Sequence, residues 1–253
     1  AEAFRAGGDF DPEANVQFGE GGAGAFSDGK LGTGTHDRRI AWVLRTLVEH
    51  GAKPSITYDA KPHLGTDVLS RVVVNIRREI EALGGELRFR TRLDGLDIRG
   101  GELRGIRLSC GGVDEYLSAD RLILATGHSA RDTFKMLLEA GLPLEPKAFS
   151  MGARIEHLQA EIDLAQYGAP RGKRLPAADY GLNVHLPDGR GVYTFCMCPG
   201  GVVINAASEP GGVVTNGMSW SGRAGRNANS ALLVSVSPAD FPCPGPLGGL
   251  EWQ

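Results

Sequence analysis

The chain has 253 residues, of which 42% are hydrophobic and 23% charged, and its formal net charge is −3. This length predicts one large domain or two small ones, and the charge gives no basis for binding nucleic acid or an anionic membrane. Glycine is the unusual component, because 37 glycines are about twice the usual share of ~7%. They require local reasons such as turns, helix ends or close approach to a ligand.

No apolar run reaches the ~18 residues of a membrane span, and the first residues have no signal-peptide core. The four cysteines form no CxxC pair, so a disulfide framework is not expected and a reducing cytoplasm is the default location. The chain begins without Met and ends just after a possible turn, so we expect it to be a fragment of a longer protein.

Two amphipathic helices are predicted in the first third of the chain. Apolar residues recur at helical spacing over 40–48 and again over 69–83. Gly51 ends the first helix and Gly84 ends the second, and Thr66 is placed to cap the start of the second.

Short strands are predicted next. Alternation predicts a strand over 86–90 and a β-meander over 93–118, and the apolar run at 121–125 predicts a buried strand. A third helix follows, with Ser129 placed to cap it and Gly141 to end it.

The pattern changes near residue 145, which predicts two domains, 1–145 and 146–253. A helix is predicted over 158–166. The other predicted elements of the second domain are strands, over 149–155, 192–198, 202–206, 213–216 and 231–236.

The densest glycine cluster lies at 19–30. Gly19, Gly21 and Gly24 match GxGxxG, but that phosphate-binding turn needs a strand before it and a helix after it. The same segment nearly matches the P-loop GxxxxGK, yet Leu31 stands where Ser or Thr must bind Mg²⁺. Two interpretations remain open: a concavity of backbone N–H groups for an anion or planar ring, and a flexible surface loop.

A second candidate site is the sequence LATGHS at 124–129, where a predicted strand meets a helix. Ligands of open α/β sheets lie beyond the carboxyl ends of strands, and small residues there let the backbone approach a cofactor. A plain strand-to-helix turn without a ligand is the alternative.

These segments resemble a large bacterial family of FAD-dependent oxidoreductases, the uncharacterised NAD(FAD)-utilising dehydrogenases. The resemblance runs from Asp9 to Trp252 and rests on FGEGGAGAFSDGKL, KPHLGTD, LILATGHSARDTF, FSMGARIEH, FCMCPGG and TNGMSWSGRAGRNANSA. It implies a mixed α/β fold with a partial Rossmann-like FAD-binding domain over 1–145 and a β-rich substrate domain over 146–253. It also implies a GxGxxG upstream and a further FAD segment downstream, which makes this chain a central fragment.

The resemblance implies FAD as the cofactor and NAD(P)H as one candidate electron donor. A small molecule is the expected substrate, no nucleic acid or membrane partner is expected, and the oligomeric state stays open. The residues that the resemblance places closest to FAD are Gly21, Gly22, Gly24, Phe26, Ser27, Asp28 and Lys30 in the loop, and Leu93, Ala125, Thr126 and Gly127 toward the adenosine part.

Four residues are catalytic candidates. Lys30 would place a cation beside the N1–C2 edge of the flavin and stabilise its anionic reduced form, or it is a solvated lysine. His128 would act as a general acid or base, or it is a turn histidine. Cys196 and Cys198 share one face of a strand and would pass electrons or bind a substrate, or they are small buried core residues.

No metal site is predicted, because the six histidines show no metal-binding spacing. A polar cluster is a candidate site for binding a carboxylate or phosphate of the substrate, and the alternative is a solvated loop. Its members are Arg223, Arg226, Asn227 and Asn229.

The predicted function is therefore part of an FAD-dependent oxidoreductase that transfers a hydride or electrons between flavin and an unknown organic substrate. A non-enzymatic nucleotide- or anion-binding module and an inactive truncated fragment are the alternatives.

Overall fold

The computed structural model describes residues 11–13, 16–17 and 19–253. These residues form two compact units: unit 1 joins those up to residue 86 with 151–234, and unit 2 joins 87–150 with 235–253. The fold is mixed α/β with several antiparallel sheets, which confirms the mixed class. The domain boundary at 145/146 stays a prediction. The GxGxxG interpretation requires a strand before Gly19, and the sequence does not predict one. Most of that segment lies outside the described residues.

Two helices pack together early in unit 1. Helix α1 covers Arg39–Glu49 and helix α2 covers Thr66–Ala82, which confirms both predicted helices. The predicted cap of α2 was wrong, because Gly65 occupies the cap position and the Thr66 hydroxyl donates to the Ala25 carbonyl. The apolar stripes of the helices cover a core of Ala52, Ile56, Leu64, Val68 and Val72.

An antiparallel meander forms most of unit 2. Strands β1 (Thr91–Arg99), β2 (Glu102–Cys110) and β3 (Val113–Ser118) pair in chain order, which confirms the predicted meander. Helix α3 covers Arg131–Glu139, which confirms the third predicted helix, and it contacts β1. The Ser129 cap was wrong, since α3 begins after Ala130 and has no side-chain cap.

Two predicted strands are absent from the described structure. Residues 86–90 contain no strand, and the chain turns at their end. Residues 121–125 also join no sheet within the described residues, and Ile123 is 91% exposed. An apolar run indicates a preference for burial, but a strand also requires a neighbouring strand to satisfy its backbone groups.

The remaining strands form two sheets. Their strands are β4 (Phe149–Leu158), β5 (Asn183–His185), β6 (Gly191–Cys198), β7 (Val202–Asn205), β8 (Thr215–Met218) and β9 (Asn227–Val236). The four-stranded sheet has the order β4-β9-β6-β5, and β7 pairs with β8 alone. Helix α4 (Gln159–Tyr167) follows β4, as predicted.

Unit 2 ends in a short helix, α5 (Gly248–Trp252). Its Trp252 joins an aromatic cluster with Phe149 and Phe241, with ring centroids 5.4 to 6.0 Å apart. Among the described residues, every helix is too short or too polar to cross a lipid bilayer.

Candidate functional site

A buried carboxylate, Asp28, is the centre of the site in unit 1. Its side chain is 1% exposed and accepts hydrogen bonds from Ser219 Oγ and from Arg223, whose Nε lies 2.9 Å from Oδ1. The Lys30 Nζ lies 2.8 Å from Oδ2. Burial alone would raise the pKa of this carboxyl, but Arg223, Lys30 and Ser219 hold the pKa below its usual value. Asp28 is therefore a charged anchor between the glycine-rich loop and residues 219–223.

The glycine-rich loop, residues 19–30, is held by its own polar groups. A 3₁₀ turn covers Gly22–Phe26, which makes this part of the loop an ordered turn. The Ser27 hydroxyl donates to the Gly24 carbonyl at 2.9 Å and accepts from the Gly29 N–H at 3.0 Å. Ser27 thus stabilises the loop from within.

The Phe26 ring packs into a small apolar core. That core is formed by Val16, Ile204, Ala206 and Met218, so the ring lies against the sheet of β7 and β8. The Phe26 carbonyl also accepts a hydrogen bond from Asn216 Nδ2 at 3.1 Å. This side chain anchors the loop to the sheet.

Lys30 connects the loop to the end of β6. Besides its ion pair with Asp28, its Nζ donates to the Met197 carbonyl. The side chain keeps 39% of its surface exposed. The Lys30 backbone also forms an isolated antiparallel bridge with His63. The ammonium group is therefore fixed in place next to the cysteine segment while it remains partly open to solvent.

Residues 219–223 are closely fitted to the start of α2. Gly65 has φ +74°, and a Cβ at this position would lie 2.2 Å from the Ser221 nitrogen. The Ser221 N–H and Oγ both donate to the Asp67 carboxylate at 2.7 Å. These hydrogen bonds, with burial opposing, lower the pKa of Asp67. A side chain at residue 65 would force the two segments apart.

Two members of the polar cluster at 223–229, Arg223 and Asn229, differ from the prediction for the cluster. The Arg223 guanidinium is bound to Asp28 in a two-point ion pair, so it is not free to bind a substrate carboxylate or phosphate. Asn229 is fully buried within β9. Arg223 therefore pairs with Asp28 and Asn229 with Arg154, so both side chains bind other residues of the site.

The two cysteines of β6 lie at a β-bulge. Phe195 pairs with Ala231 and Cys198 pairs with Asn229, so three steps along β6 match two steps along β9. Cys196 occupies the extra position with φ +49°, a conformation that non-glycine residues rarely adopt. The two Sγ atoms are 3.9 Å apart. Cys196 is half-buried and Cys198 is fully buried.

The surroundings of the two thiols separate their pKa values. A hydrogen bond from Cys198 lowers the pKa of Cys196 to about 6, and the charges of Lys30 and Arg154 add to this effect, whereas burial and Asp28 oppose it. The same hydrogen bond and burial raise the pKa of Cys198. Cys196 is the thiol that ionises first.

Arg154 of β4 lies beside the thiols. Its Nη1 donates to the Cys196 carbonyl at 3.2 Å and to Asn229 Oδ1 at 2.8 Å. Arg154 Nε and Asn229 Nδ2 are buried without a hydrogen-bond partner among the described residues. A Cβ at Gly217 would lie 2.4 Å from Asn229 Oδ1, so the group requires glycine there. Buried unpaired donors are costly and are typical of sites that take a water molecule, an ion or a ligand.

The other predicted site residues belong to unit 2. Leu93 is half-buried on β1, and residues 125–127 are exposed in the segment that leads to α3. His128 is exposed in the turn before α3. The structure thus brings Lys30, Cys196 and Cys198 together in unit 1, and it places the predicted adenosine-side residues and His128 in unit 2.

The exposed groups of the loop include parts of its backbone and one cation. Gly24 is exposed, and a Cβ at Gly19 or Gly22 would find no side chain within 4 Å, so a planar group can approach the backbone there. Lys30 keeps an exposed part. Side chains 26–28 are occupied by packing and hydrogen bonds within the site. The loop therefore fits the cofactor through backbone contacts and Lys30.

Comparison with known proteins finds a similarity in the second half of the chain. Residues 148–253 match the family described as FAD-dependent protein, C-terminal domain-like. This match supports the predicted FAD-dependent family for that part.

One relative is similar along the whole chain. It is an uncharacterized protein of Clostridium beijerinckii, 49% identical over 254 residues. The chain is covered completely in this comparison and spans 47% of the relative's length, about half.

Proposed function

We propose that this chain is part of an FAD-dependent oxidoreductase in which flavin exchanges a hydride or electrons with a small organic substrate. The observation that carries the proposal is the fixed, partly exposed Lys30 between the glycine-rich loop and the cysteine segment. The FAD-dependent family that matches residues 148–253 supports it. FAD, when bound, supplies the hydride and electron chemistry.

The residues of unit 1 have separate proposed roles in binding the flavin ring and stabilising its charge. The backbone around Gly22 and Gly24 allows a planar ring to approach closely. Lys30 would hold a positive charge that stabilises the negative charge of the reduced cofactor. Asp28 and the Met197 carbonyl fix that ammonium group in one position, which reduces the reorganisation needed when the ring's charge changes.

Unit 2 carries the residues that we propose for contact with the adenosine part of FAD. Under this proposal its meander and the segment 121–127 are part of a Rossmann-like FAD domain, with Leu93 and residues 125–127 near the adenosine. The exposed apolar side chains at 121–125 support it, because they suit a strand that pairs within a larger sheet. His128 is the proposed general acid or base. NAD(P)H is the proposed electron donor, and the four free cysteines agree with a reducing cytoplasm.

The test is the visible spectrum of the full-length gene product after gentle purification. The proposal predicts the visible absorption bands of bound flavin, or their protein-bound form after FAD is added to the purified protein. Absence of bound flavin in both measurements contradicts the proposal.

A nucleotide- or anion-binding module is a second candidate, favoured by one observation. Asp28, Lys30 and Arg223 together carry a net positive charge, and Lys30 exposes part of it. This module predicts that the full-length protein binds ADP without flavin and that Lys30→Ala weakens the binding. Unchanged ADP affinity in Lys30→Ala counts against it.

A further inference from the structure

The Cys196 and Cys198 thiols form a pair that the proposed flavin chemistry does not use. In a regular strand, residues two apart are about 6.6 Å apart at Cα, given a rise of ~3.3 Å per residue. The bulge at Cys196 interrupts that regular spacing, and the two Sγ atoms are 3.9 Å apart. A disulfide needs an S–S distance of about 2.05 Å, so closing the bond requires less than about 2 Å of movement.

The two thiols differ in access, as an attacking and a resolving thiol must. Cys196 is half-buried and so has a face through which a reagent can approach. Cys198 has no exposed surface, and its Sγ lies 3.2 Å from the Cys196 carbonyl oxygen. A reagent from solvent therefore meets Cys196 first, and Cys198 lies directly behind it.

The charged groups around Cys196 favour its thiolate. Lys30 and Asp28 face it from the loop, Arg154 faces it from β4, and Cys198 lies on its own strand. Asp28 already has two cationic partners, Lys30 and Arg223. Arg154 forms no ion pair with a carboxylate in the described part of the chain, so its charge is available to stabilise a thiolate at Cys196.

We propose that Cys196 and Cys198 are a redox-active dithiol that reduces disulfide substrates, with Cys196 as the attacking thiol and Cys198 as the resolving thiol. This activity needs no flavin, and it goes beyond the proposed oxidoreductase function.

The reaction balances as two thiol–disulfide exchanges. The Cys196 thiolate attacks one sulfur of the substrate disulfide, forms a mixed disulfide and releases the first substrate thiolate. Cys198 then loses its proton and attacks Cys196 Sγ, which forms the Cys196–Cys198 disulfide and releases the second substrate thiolate. The substrate disulfide gains two electrons and two protons in all, and the cysteine pair loses them.

Glutathione disulfide is a suitable probe, used on the full-length protein with Cys110→Ser and Cys243→Ser, which removes the two exposed thiols of this chain. The proposal predicts a protein lighter by two hydrogen atoms in the peptide containing Cys196 and Cys198, and two glutathione molecules released per protein. Unchanged mass, or a stable glutathione adduct that never resolves, overturns it.

Single variants identify the role of each thiol. Cys198→Ser is expected to trap one glutathione on Cys196, whereas Cys196→Ser is expected to react at least about tenfold more slowly because Cys198 is buried. Cys198→Ala serves as a second trapping variant if the serine form does not fold. Equal reactivity of the two single variants contradicts the assigned order. A flavin-free protein that still forms the disulfide separates this proposal from the flavoenzyme proposal.

Discussion

Replacing Asp28 with Asn removes the charge that joins the glycine-rich loop to residues 219–223. Asn keeps an acceptor for Ser219 and for Arg223 Nε, but its amide nitrogen replaces the oxygen that Arg223 Nη2 and Lys30 Nζ contact. A lost hydrogen bond to a buried charged group costs about 1.5–3 kcal/mol, and Arg223 is only 16% exposed. Lys30 is 39% exposed, so losing its ion pair with Asp28 costs about 0.5–1 kcal/mol. The expected loss of unfolding free energy is about 2–4 kcal/mol.

Urea unfolding of the full-length protein at neutral pH measures this loss. Asp179→Asn is the matched control, because Asp179 pairs with Lys61, whose side chain is 77% exposed, and the expected loss is about 0–1 kcal/mol. Equal destabilisation by the two variants would refute the assignment of Asp28 as an anchor.

The pH dependence has a definite sign. The pKa of Asp28 is lowered in the folded state, so its stabilisation is present above the unfolded value of about 3.9 and is lost as pH falls through the folded value. The difference between wild type and Asp28→Asn should therefore stay constant near neutral pH and shrink only in acid.

Two further variants test the packing and the thiol chemistry. Gly65→Ala should lower the unfolding free energy by more than about 2 kcal/mol, because its Cβ would overlap a backbone nitrogen. Gly84→Ala, also at positive φ but with open space around it, should cost less in the same urea titration, and a reversed order contradicts the close fit. Alkylation of Cys196 by iodoacetamide should rise with pH to a plateau above about pH 7, following its pKa of about 6. At about pH 5.5 it should be roughly tenfold faster than at Cys110, and a rate that follows Cys110 at every pH would contradict the lowered pKa.

The local elements of this fold could be predicted from the sequence. The sequence pattern predicted α1, α2, α3 and α4, the meander and the later strands except β5. These patterns repeat within a single element, so they need no knowledge of distant residues. The predicted cap at Thr66 was wrong because its hydroxyl bonds to Ala25, which is distant along the chain, and the predicted cap at Ser129 was wrong because α3 has no side-chain cap.

The site could be predicted only in part. Lys30, Cys196 and Cys198 were predicted by residue type, and the structure brings them together. The partners Ser219 and Arg223 of Asp28 are 191 and 195 residues away along the chain, so no sequence pattern joins them. The sequence also placed both cysteines on one face of a regular strand and did not predict the bulge.

The roles of Arg154 and Asn229 were missed for the same reason. They meet across neighbouring strands β4 and β9, and their unpaired donors become visible only when burial is known. The sequence signal of Arg154 was a polar side chain within a predicted strand, and that of Asn229 was its place in the predicted polar cluster. Such residues are more often solvent-facing, so the signal did not distinguish them.

The most direct test of the proposed flavin site is the reduction potential of the flavin bound to the full-length protein. A cation beside the ring favours its reduced form, so Lys30→Gln should lower the potential. Lys61→Gln removes a lysine that is 77% exposed and paired with Asp179, and it should leave the potential unchanged. A potential that is the same in Lys30→Gln, Lys61→Gln and wild type would contradict the placement of Lys30 beside the flavin.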